Sequence, residues 1–233
     1  MSSQTLPECC VILADIVGSK TANDNRSAFQ SHLKSLAASL NIIAGSDVLS
    51  PFQTREGDAL RGVLSSARHV VELLWSFDAQ AISVPLSVGI GWGRLTFFTS
   101  FPDDVDGPAF HNARQAVTLA SDDSKLGPRF SGFDNDSARC ENVIQAIASL
   151  LSTQRNEWTA KQREVAVLLR RGESQVAIAK ALHVTPQNIN NHIKNMQWQP
   201  YQFAEAQLQK TLEAFDCSAA WQQLIRNDAS WHS

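Results

Sequence analysis

A polar segment near residue 190 contains side chains that can form paired hydrogen bonds. With Thr185 as N-cap, Pro186 at the first helical position and Ile189 on a buried face, the segment is predicted to be a helix. Asn and Gln side chains are suited to bidentate hydrogen bonds with adenine in the major groove of DNA. The exposed face of this helix is therefore predicted to contact double-stranded DNA through Gln187, Asn188, Asn190, Asn191 and Lys194.

Basic residues around this helix add groups that can bind DNA phosphates, namely Arg170, Arg171 and Lys180 together with Lys194. Two further helices are predicted before it. The first begins after Thr159 as N-cap and ends at Gly172, and the second covers residues 173–182. A three-helix unit that packs against protein instead of DNA is the alternative.

Two acidic residues in the N-terminal half are placed where their carboxylates can meet. Asp15 ends the apolar run of residues 10–14, which is predicted to be a buried strand. Asp58 lies in the turn of a predicted hairpin over residues 52–64, whose tip can approach the end of that strand. Each acid also has a structural explanation, because Asp15 could cap the next helix and Asp58 could serve the turn.

Length and composition are those of a globular protein. The chain has 233 residues, of which 43% are hydrophobic and 18% are charged, and its formal net charge is −3. Residues 1–150 contain 16 acidic and 11 basic residues, whereas residues 151–233 contain 7 acidic and 9 basic residues. With no signal peptide and no apolar run near the ~20 residues that span a bilayer, we expect a cytoplasmic protein.

Cysteine and histidine residues give no sign of a zinc site. The four cysteines form no C-x-x-C pair, and the six histidines show no paired ligand spacing. We therefore expect reduced cysteines that serve packing.

Hydrophobic periodicity predicts the remaining elements. Gly89, Gly91 and Gly93 lie in a predicted strand and allow close approach of another backbone. Residues 122–138 are rich in Asp, Ser, Gly and Pro and are predicted to be irregular. Three amphipathic helices are predicted in the C-terminal half, with inward side chains that include Val143, Ile144, Ile147, Leu150, Leu151, Val176, Ile178, Phe203, Ala206, Leu208 and Leu212.

Four segments occur in the order found in the catalytic domains of class III nucleotidyl cyclases, which share a ferredoxin-like palm fold. These are ADIVGS from residue 14, the Gly57–Asp58 pair, VGIGWG from residue 88 and DGPAFHNAR from residue 106. The chain resembles the SatD family more closely, through its ADIVGS opening, its G-D-x-x-x-G hairpin, its D-G-P-x-F segment and its C-terminal helix-turn-helix. That second resemblance spans nearly the whole chain.

The cyclase resemblance implies a site for a nucleoside triphosphate and two divalent ions, Mg²⁺ or Mn²⁺, held by Asp15 and Asp58. It implies phosphate contacts from the backbone amides of Val17, Gly18 and Ser19 and from the side chains of Lys20 and Arg26. Asn112 and Arg114 match the transition-state asparagine and arginine, although the family spaces them four residues apart and here they are two apart. No equivalent of the base-selecting lysine and aspartate is found.

The segment of residues 176–194 resembles the helix-turn-helix of sigma-factor region 4, with His183 where that family has a turn glycine. Histidine tolerates the left-handed conformation better than most other residues.

Together these patterns predict an α+β fold, with a ferredoxin-like, cyclase-like domain over residues 1–138 and an all-α domain over residues 139–233 that contains a helix-turn-helix at 159–195. Two functions are compatible with this predicted fold. One is a homodimeric DNA-binding regulator that senses a nucleotide, and the other is an active two-metal nucleotidyl cyclase or transferase that the helix-turn-helix tethers or controls.

Overall fold

The computed structural model describes residues 6–16, 26–55, 59–81, 86–98, 105–123, 126–134 and 140–227. The strands are β1 (Glu8–Ile16), β2 (Val48–Arg55), β3 (Ala59–Leu64), β4 (Leu86–Arg94) and β5 (Arg129–Ser131). The helices are α1 (Arg26–Ala44), α2 (Val70–Ala81), α3 (Pro108–Asp122), α4 (Glu141–Asn156), α5 (Ala160–Arg170), α6 (Gln175–Ala181), α7 (Pro186–Asn195), α8 (Trp198–Glu213) and α9 (Ser218–Asn227).

The strands form one sheet in the order β2-β3-β1-β4-β5. The pairs β2–β3, β3–β1 and β1–β4 are antiparallel, and β5 joins β4 in parallel. The first six elements therefore follow the β-α-β-β-α-β order of a ferredoxin-like fold, in which β3 lies between β2 and β1. The mixed α+β class predicted from the sequence is confirmed.

Helices cover both faces of the sheet because β1 has apolar side chains on both faces, and successive side chains of a strand point to opposite faces. Cys10 and Ile12 belong to a buried cluster with Leu36 of α1 and Leu73 of α2. Residues on the opposite face of β1 belong to a second cluster with α3 and α9, which contains Cys9, Val11, Ala109, Ala113 and Trp221. Cys9 and Cys10 are free thiols, as the sequence predicts, and burial raises the pKa of each well above its ordinary value.

The backbone of α3 packs directly on β4 because the facing strand residues have no side chains. A Cβ atom added to Gly89 would lie 2.2 Å from the amide nitrogen of Val117. A Cβ atom added to Gly91 would lie 2.2 Å from the amide nitrogen of Ala113. The close backbone approach predicted for these glycines is confirmed, and it fixes the position of α3 over the sheet.

After the three helices α5, α6 and α7, the chain returns to the sheet. The Phe215 ring centroid lies 5.0 Å from that of Phe133, and the Trp221 indole donates a hydrogen bond to the Glu8 carbonyl at 2.7 Å. One buried cluster contains residues on both sides of position 138, such as Ile12 and Leu212. The division into domains 1–138 and 139–233 stays a prediction. Within the part of the chain that the structure describes, no helix is long and apolar enough to cross a membrane.

The segment 122–138, predicted to be irregular, contains β5, and the prediction is wrong there. Phe130 is buried, pairs with Ile90 of β4, and its amide donates to the Gln145 side chain at 3.0 Å. A three-residue strand is too short for an alternating pattern to reveal it, and its tertiary partners stabilise it instead.

Some of the apolar side chains predicted to face inward are exposed. These are Val143 (55%) and Leu150 (72%) on α4, Val176 (68%) on α6 and Phe203 (69%) on α8, with Ala206 also exposed. The reason is that polar residues take inward positions on two of these helices, with Arg155 buried on α4 and Glu205 buried on α8. A prediction from hydrophobic periodicity assigns polar residues to the outward face of a helix, so it misplaces buried ones such as these.

We predict that Gly91→Ala lowers the free energy of unfolding by about 3 kcal/mol, because the new methyl group forces α3 away from β4. Urea denaturation measures the change. The control is Gly45→Asn, because nothing lies within 4 Å of a Cβ at Gly45 and asparagine tolerates its left-handed backbone. Equal losses in the two variants would contradict the role assigned to the α3–β4 contact.

Candidate functional site

A polar cavity of about 380 Å³ lies between the end of β1, the start of β3 and one side of α3. The residues around it are Leu13, Asp15, Ala59, Leu60, Arg61, Phe110, Arg114, Val117 and Thr118. Its charged side chains are one carboxylate and two guanidinium groups. The formal charge of these described lining residues is therefore +1.

Strand register places the carboxylate of this cavity. Asp15 is exposed near the end of β1 and is paired with Ala59 on β3 and with Ser87 on β4. Because side chains alternate along a strand, Asp15 shares the α3 side of the sheet with Val11 and Leu13. The prediction that Asp15 emerges at the end of a buried strand is confirmed.

Two arginines reach the cavity around one aromatic ring. The guanidinium carbon of Arg61 lies 4.5 Å from the ring centroid of Phe110, and that of Arg114 lies 5.1 Å from it. Cations bind the faces of aromatic rings. Phe110 thus contacts both positive groups of the cavity that Asp15 also lines.

Asn112 is on another side of α3. Its amide donates a hydrogen bond to the Trp92 carbonyl at 2.9 Å and lies against Gly132, after β5. Two residues of helix correspond to a rotation of about 200°, so Asn112 and Arg114 face different surroundings. Arg114 lines the same cavity as Asp15, whereas Asn112 does not.

Several predicted site residues lie outside the described part of the chain. They are Val17, Gly18, Ser19, Lys20 and Asp58. Arg26 begins α1, but its side chain is also outside the described residues. In the sequence, Asp58 directly precedes Ala59, which is the strand partner of Asp15.

Sequence reasoning missed Arg61 and Phe110. Arg61 interrupts the apolar run of β3 on the α3 side, and a charged residue in a buried strand is a signal that could have identified it. Phe110 gave no signal of its own, because a buried aromatic residue in an amphipathic helix is ordinary core.

A larger cavity of about 490 Å³ lies between α2, α5 and the end of α4. Its wall is mostly apolar and includes Trp75, Trp158 and Leu168. The Asp78 carboxylate there pairs with the Arg155 guanidinium at 2.7 Å. Burial raises the pKa of Asp78 despite the opposing effect of Arg155. The Asp78 and Arg155 charges are thus paired with each other, and this mostly apolar cavity suits a polyphosphate less than the Asp15–Arg114 cavity does.

The helices α5 and α7 have the predicted N-caps, and α6 is capped by Ser174, for which the sequence analysis made no prediction. Thr159 and Gln162 form a capping box at α5, Ser174 caps α6, and Thr185 caps α7. His183, in the turn before α7, has a φ of 54°. The left-handed turn and the N-cap of α7 are as predicted.

The polar face of α7 is open to solvent. Gln187, Asn188, Asn191 and Lys194 are exposed, and Asn190 is half-buried. The Gln187 amide donates to the Asn191 side-chain oxygen at 3.2 Å. Ile189 is fully buried beneath this face, so the helix presents its amides away from the core.

The predicted phosphate contacts divide into two groups. Arg171 and Lys180 are exposed, as is Lys194. Arg170, in contrast, forms ion pairs with Glu72 of α2 and Glu205 of α8. The structure places Arg170 in a contact between helices and not with the other cations.

Glu205 is the centre of that contact. Its carboxylate accepts hydrogen bonds from the indole of Trp75, the hydroxyl of Tyr201 and the guanidinium of Arg170. Burial raises the pKa of Tyr201, and the neighbouring Glu205 raises it further. This network joins α2 of the sheet region to α5 and α8.

The described residues contain no group of three or more His, Cys, Asp or Glu side chains that could hold a metal ion.

Comparison with known proteins gives one family and a set of similar structures. The sequence model of the SatD family matches residues 9–208. No curated protein sequence matches the chain.

The catalytic core of a rhodopsin-guanylyl cyclase with converted specificity, solved with ATPalphaS, is 15% identical over 51% of this chain and 76% of that one, with a TM-score of 0.40. A bacterial light-regulated adenylyl cyclase is 12% identical over 52% of this chain and 41% of that one, with a TM-score of 0.38. The monomeric guanylyl cyclase domain of the RhoGC fusion protein from the aquatic fungus Blastocladiella emersonii is 17% identical over 51% of this chain and 78% of that one, with a TM-score of 0.38.

We predict that Glu205→Ala lowers the free energy of unfolding by about 3 kcal/mol, because it removes the partner of a partly buried guanidinium and of two hydrogen-bond donors. Urea denaturation tests this. Glu213→Ala, an exposed position on the same helix, should change stability by less than about 0.5 kcal/mol. If both variants were equally stable, the network would not hold these helices together.

Proposed function

The chain belongs to the SatD family, and for this member we propose that the Asp15–Arg114 cavity binds a nucleoside triphosphate and that the protein acts on it as a nucleotidyl cyclase or transferase. One observation carries the proposal. The strand-end carboxylate of Asp15 and the guanidinium groups of Arg61 and Arg114 line a single cavity. A cation-binding group beside phosphate-binding groups is the combination that a metal-bound polyphosphate requires.

Size and charge support this assignment. The cavity of about 380 Å³ falls in the range of roughly 300–1,000 Å³ typical of ligand sites. Arginine binds phosphate oxygens through two parallel hydrogen bonds. Because Phe110 supports both guanidinium groups, Arg114 can direct its donors at the ligand with little loss of side-chain freedom.

The residues fit Mg²⁺ or Mn²⁺ through the chemistry of their donors, since hard divalent ions prefer carboxylate oxygens. Asp15 supplies one carboxylate at the cavity. We assign the second to Asp58, whose sequence neighbour Ala59 pairs with Asp15. The ions would neutralise charge on the leaving oxygen.

The segment between β1 and α1 completes the proposed site. We assign phosphate contacts to the backbone amides of Val17, Gly18 and Ser19 and to the side chains of Lys20 and Arg26. Arg114 would stabilise charge on the transferring phosphoryl group. Asn112 has no part in the proposed reaction, because its amide is bound to Trp92.

We predict that incubation with the four NTPs and Mg²⁺ or Mn²⁺ yields a cyclic or oligomeric nucleotide, identified by mass spectrometry. Asp15→Asn keeps the shape of the side chain but removes its negative charge, and it should reduce the rate of product formation about 100-fold or more. Arg114→Ala should reduce it to a similar extent. Arg226→Ala, at an exposed arginine of α9, is the matched control and should leave the rate unchanged.

Failure of this experiment has two forms. If nucleotide raises the melting temperature of the wild type but no product forms, the catalytic part is wrong and a nucleotide sensor remains. If neither product nor a shift is seen with any NTP, the nucleotide site is wrong as well.

We propose as a second function that α7 binds double-stranded DNA. The observation that favours it is the exposed amide face of α7 behind a capped, left-handed turn, which is the geometry that a recognition helix needs. Lys180, Arg171 and Lys194 would bind phosphates, whereas Arg170 would not, because it is paired with Glu72 and Glu205.

The two proposals combine into a nucleotide-controlled DNA-binding protein. The Glu205 network connects α2, in the sheet region, to α5, at the start of the three-helix unit. A nucleotide would regulate DNA binding only if it favours one arrangement of these helices over another. A homodimer would place two α7 helices on successive half-sites, about 34 Å apart.

For DNA binding we predict that duplex affinity falls steeply with salt. Lys194→Ala should weaken binding to all sequences and lower the salt slope by about 1, whereas Asn191→Ala should cost about 1–3 kcal/mol and relax sequence preference. Fluorescence anisotropy with labelled duplexes measures both. The control is Gln202→Ala, an exposed amide on α8. Unchanged affinity in Lys194→Ala and Asn191→Ala would favour the protein-docking alternative.

A further inference from the structure

The larger, mostly apolar cavity of about 490 Å³ is separate from the proposed nucleotide site. We name it the Trp75–Trp158 cavity, after the two indoles that line it. Trp75 belongs to α2 of the sheet region, whereas Leu168 lies on α5 and Leu182 directly follows α6. Ligand sites typically have volumes of roughly 300–1,000 Å³ and often lie where two parts of a protein meet. The size and the position of this cavity both match that description.

The open side of the cavity follows α5. Three of its lining residues, Ala160, Glu164 and Val167, are exposed. They share one face of the helix, because positions three and four residues apart are neighbours on a helix surface. Trp158, in contrast, is buried in the main core cluster. The cavity therefore leads from an exposed helix edge to the core, which gives a small molecule a way in.

Two polar groups of the cavity wall have unused hydrogen-bonding capacity. Arg155 is only 7% exposed, and its Nε atom is buried with no hydrogen-bond partner in the described part of the chain. Asp78 Oδ2 lies 2.7 Å from Arg155 Nη2 in an ion pair, but these atoms are not aligned for a hydrogen bond, and this buried oxygen accepts none from the described residues. Buried polar groups are nearly always hydrogen-bonded. A donor and an acceptor are thus available together in a mostly apolar wall.

The charges of the cavity favour an uncharged ligand. Two acidic and two basic side chains line it, so their formal charges cancel. Glu164 pairs with Lys161 at 2.9 Å, Arg163 donates to the Trp158 carbonyl at 3.2 Å, and the other two charges form the ion pair described above. A charged ligand would lose its hydration without gaining a counter-charge of its own, which is costly in apolar surroundings.

We propose that the Trp75–Trp158 cavity binds an uncharged aromatic molecule that carries one hydroxyl group. A hydroxyl can accept and donate at the same time, so it would accept a hydrogen bond from Arg155 Nε and donate one to Asp78 Oδ2. Its rings would contact the indoles of Trp75 and Trp158, since aromatic rings pack favourably in tilted and edge-on arrangements. The inference does not rest on the nucleotide site.

Equilibrium dialysis of the full chain with three probes tests the proposal. We expect 2-naphthol, which is uncharged at neutral pH, to bind with a Kd on the order of 100 µM. Naphthalene lacks the hydroxyl and leaves the two polar groups unpaired, so it should bind about 10-fold more weakly. The anion 2-naphthoate should also bind at least about 10-fold more weakly, because its charge has no free partner. ATP with Mg²⁺ should not displace 2-naphthol.

A matched pair of variants tests the location. Val167→Trp places a large ring at the open side of the cavity and should weaken 2-naphthol binding about 10-fold or more. Val143→Trp is the control, because Val143 is exposed on α4 and is not among the residues that line the cavity. It should bind 2-naphthol as the wild type does. Both positions are exposed, so both variants should keep the melting temperature of the wild type.

Three results would overturn the proposal. They are the absence of 2-naphthol binding to the wild type, equal binding to the two variants, and naphthalene binding as tight as that of 2-naphthol, which would leave Arg155 and Asp78 without a role. Displacement of 2-naphthol by ATP would overturn it as well, because the cavity would then accept a nucleotide. The probe series uses the wild type and decides the proposal even if Val167→Trp fails to fold.

Discussion

The contact between α3 and β4 is the constraint on which the rest of the site depends. With glycine at positions 89 and 91, the helix backbone lies where strand side chains would otherwise be. Small residues on α3, including Ala109 and Ala113, complete the contact. At Gly89 and Gly91 no strand side chain separates the two elements, so α3 has little freedom to slide or rotate. That fixed position decides which residues of α3 meet the end of β1.

The rotation of α3 gives its polar residues separate roles. Arg114 and Phe110 line one cavity with Asp15 and Arg61, whereas Asn112 is bound to the β4 backbone. The chain therefore has an acid and a cation together at a strand end without a helix asparagine beside them. The C-terminal helices are held to the same body by the Glu205 network and by the ring contacts of Phe215.

The sequence predicted most elements because their signals are local. Caps at Thr159 and Thr185, the left-handed turn at His183 and the alternation along β1 depend on neighbouring residues alone. The remaining features depend on contacts between residues that are distant in the sequence. The three residues of β5 form a strand because β4 and Gln145 hold them, and the Arg61–Phe110–Arg114 arrangement joins a strand and a helix almost 50 positions apart. The sequence predicted Arg170 to bind phosphate because its ion-pair partners, Glu72 and Glu205, are distant from it in the sequence.

We propose that Asp15 and Arg114 bind a metal-bound nucleotide between them. A crystal structure with Mn²⁺ and a non-hydrolysable NTP, with the ion located by anomalous scattering, would show whether they do. We expect a Mn²⁺ ion within about 2.5 Å of an Asp15 carboxylate oxygen and phosphate oxygens within hydrogen-bond distance of Arg114. Binding of the nucleotide elsewhere, such as in the cavity between Trp75 and Trp158, or at no site at all, would contradict it.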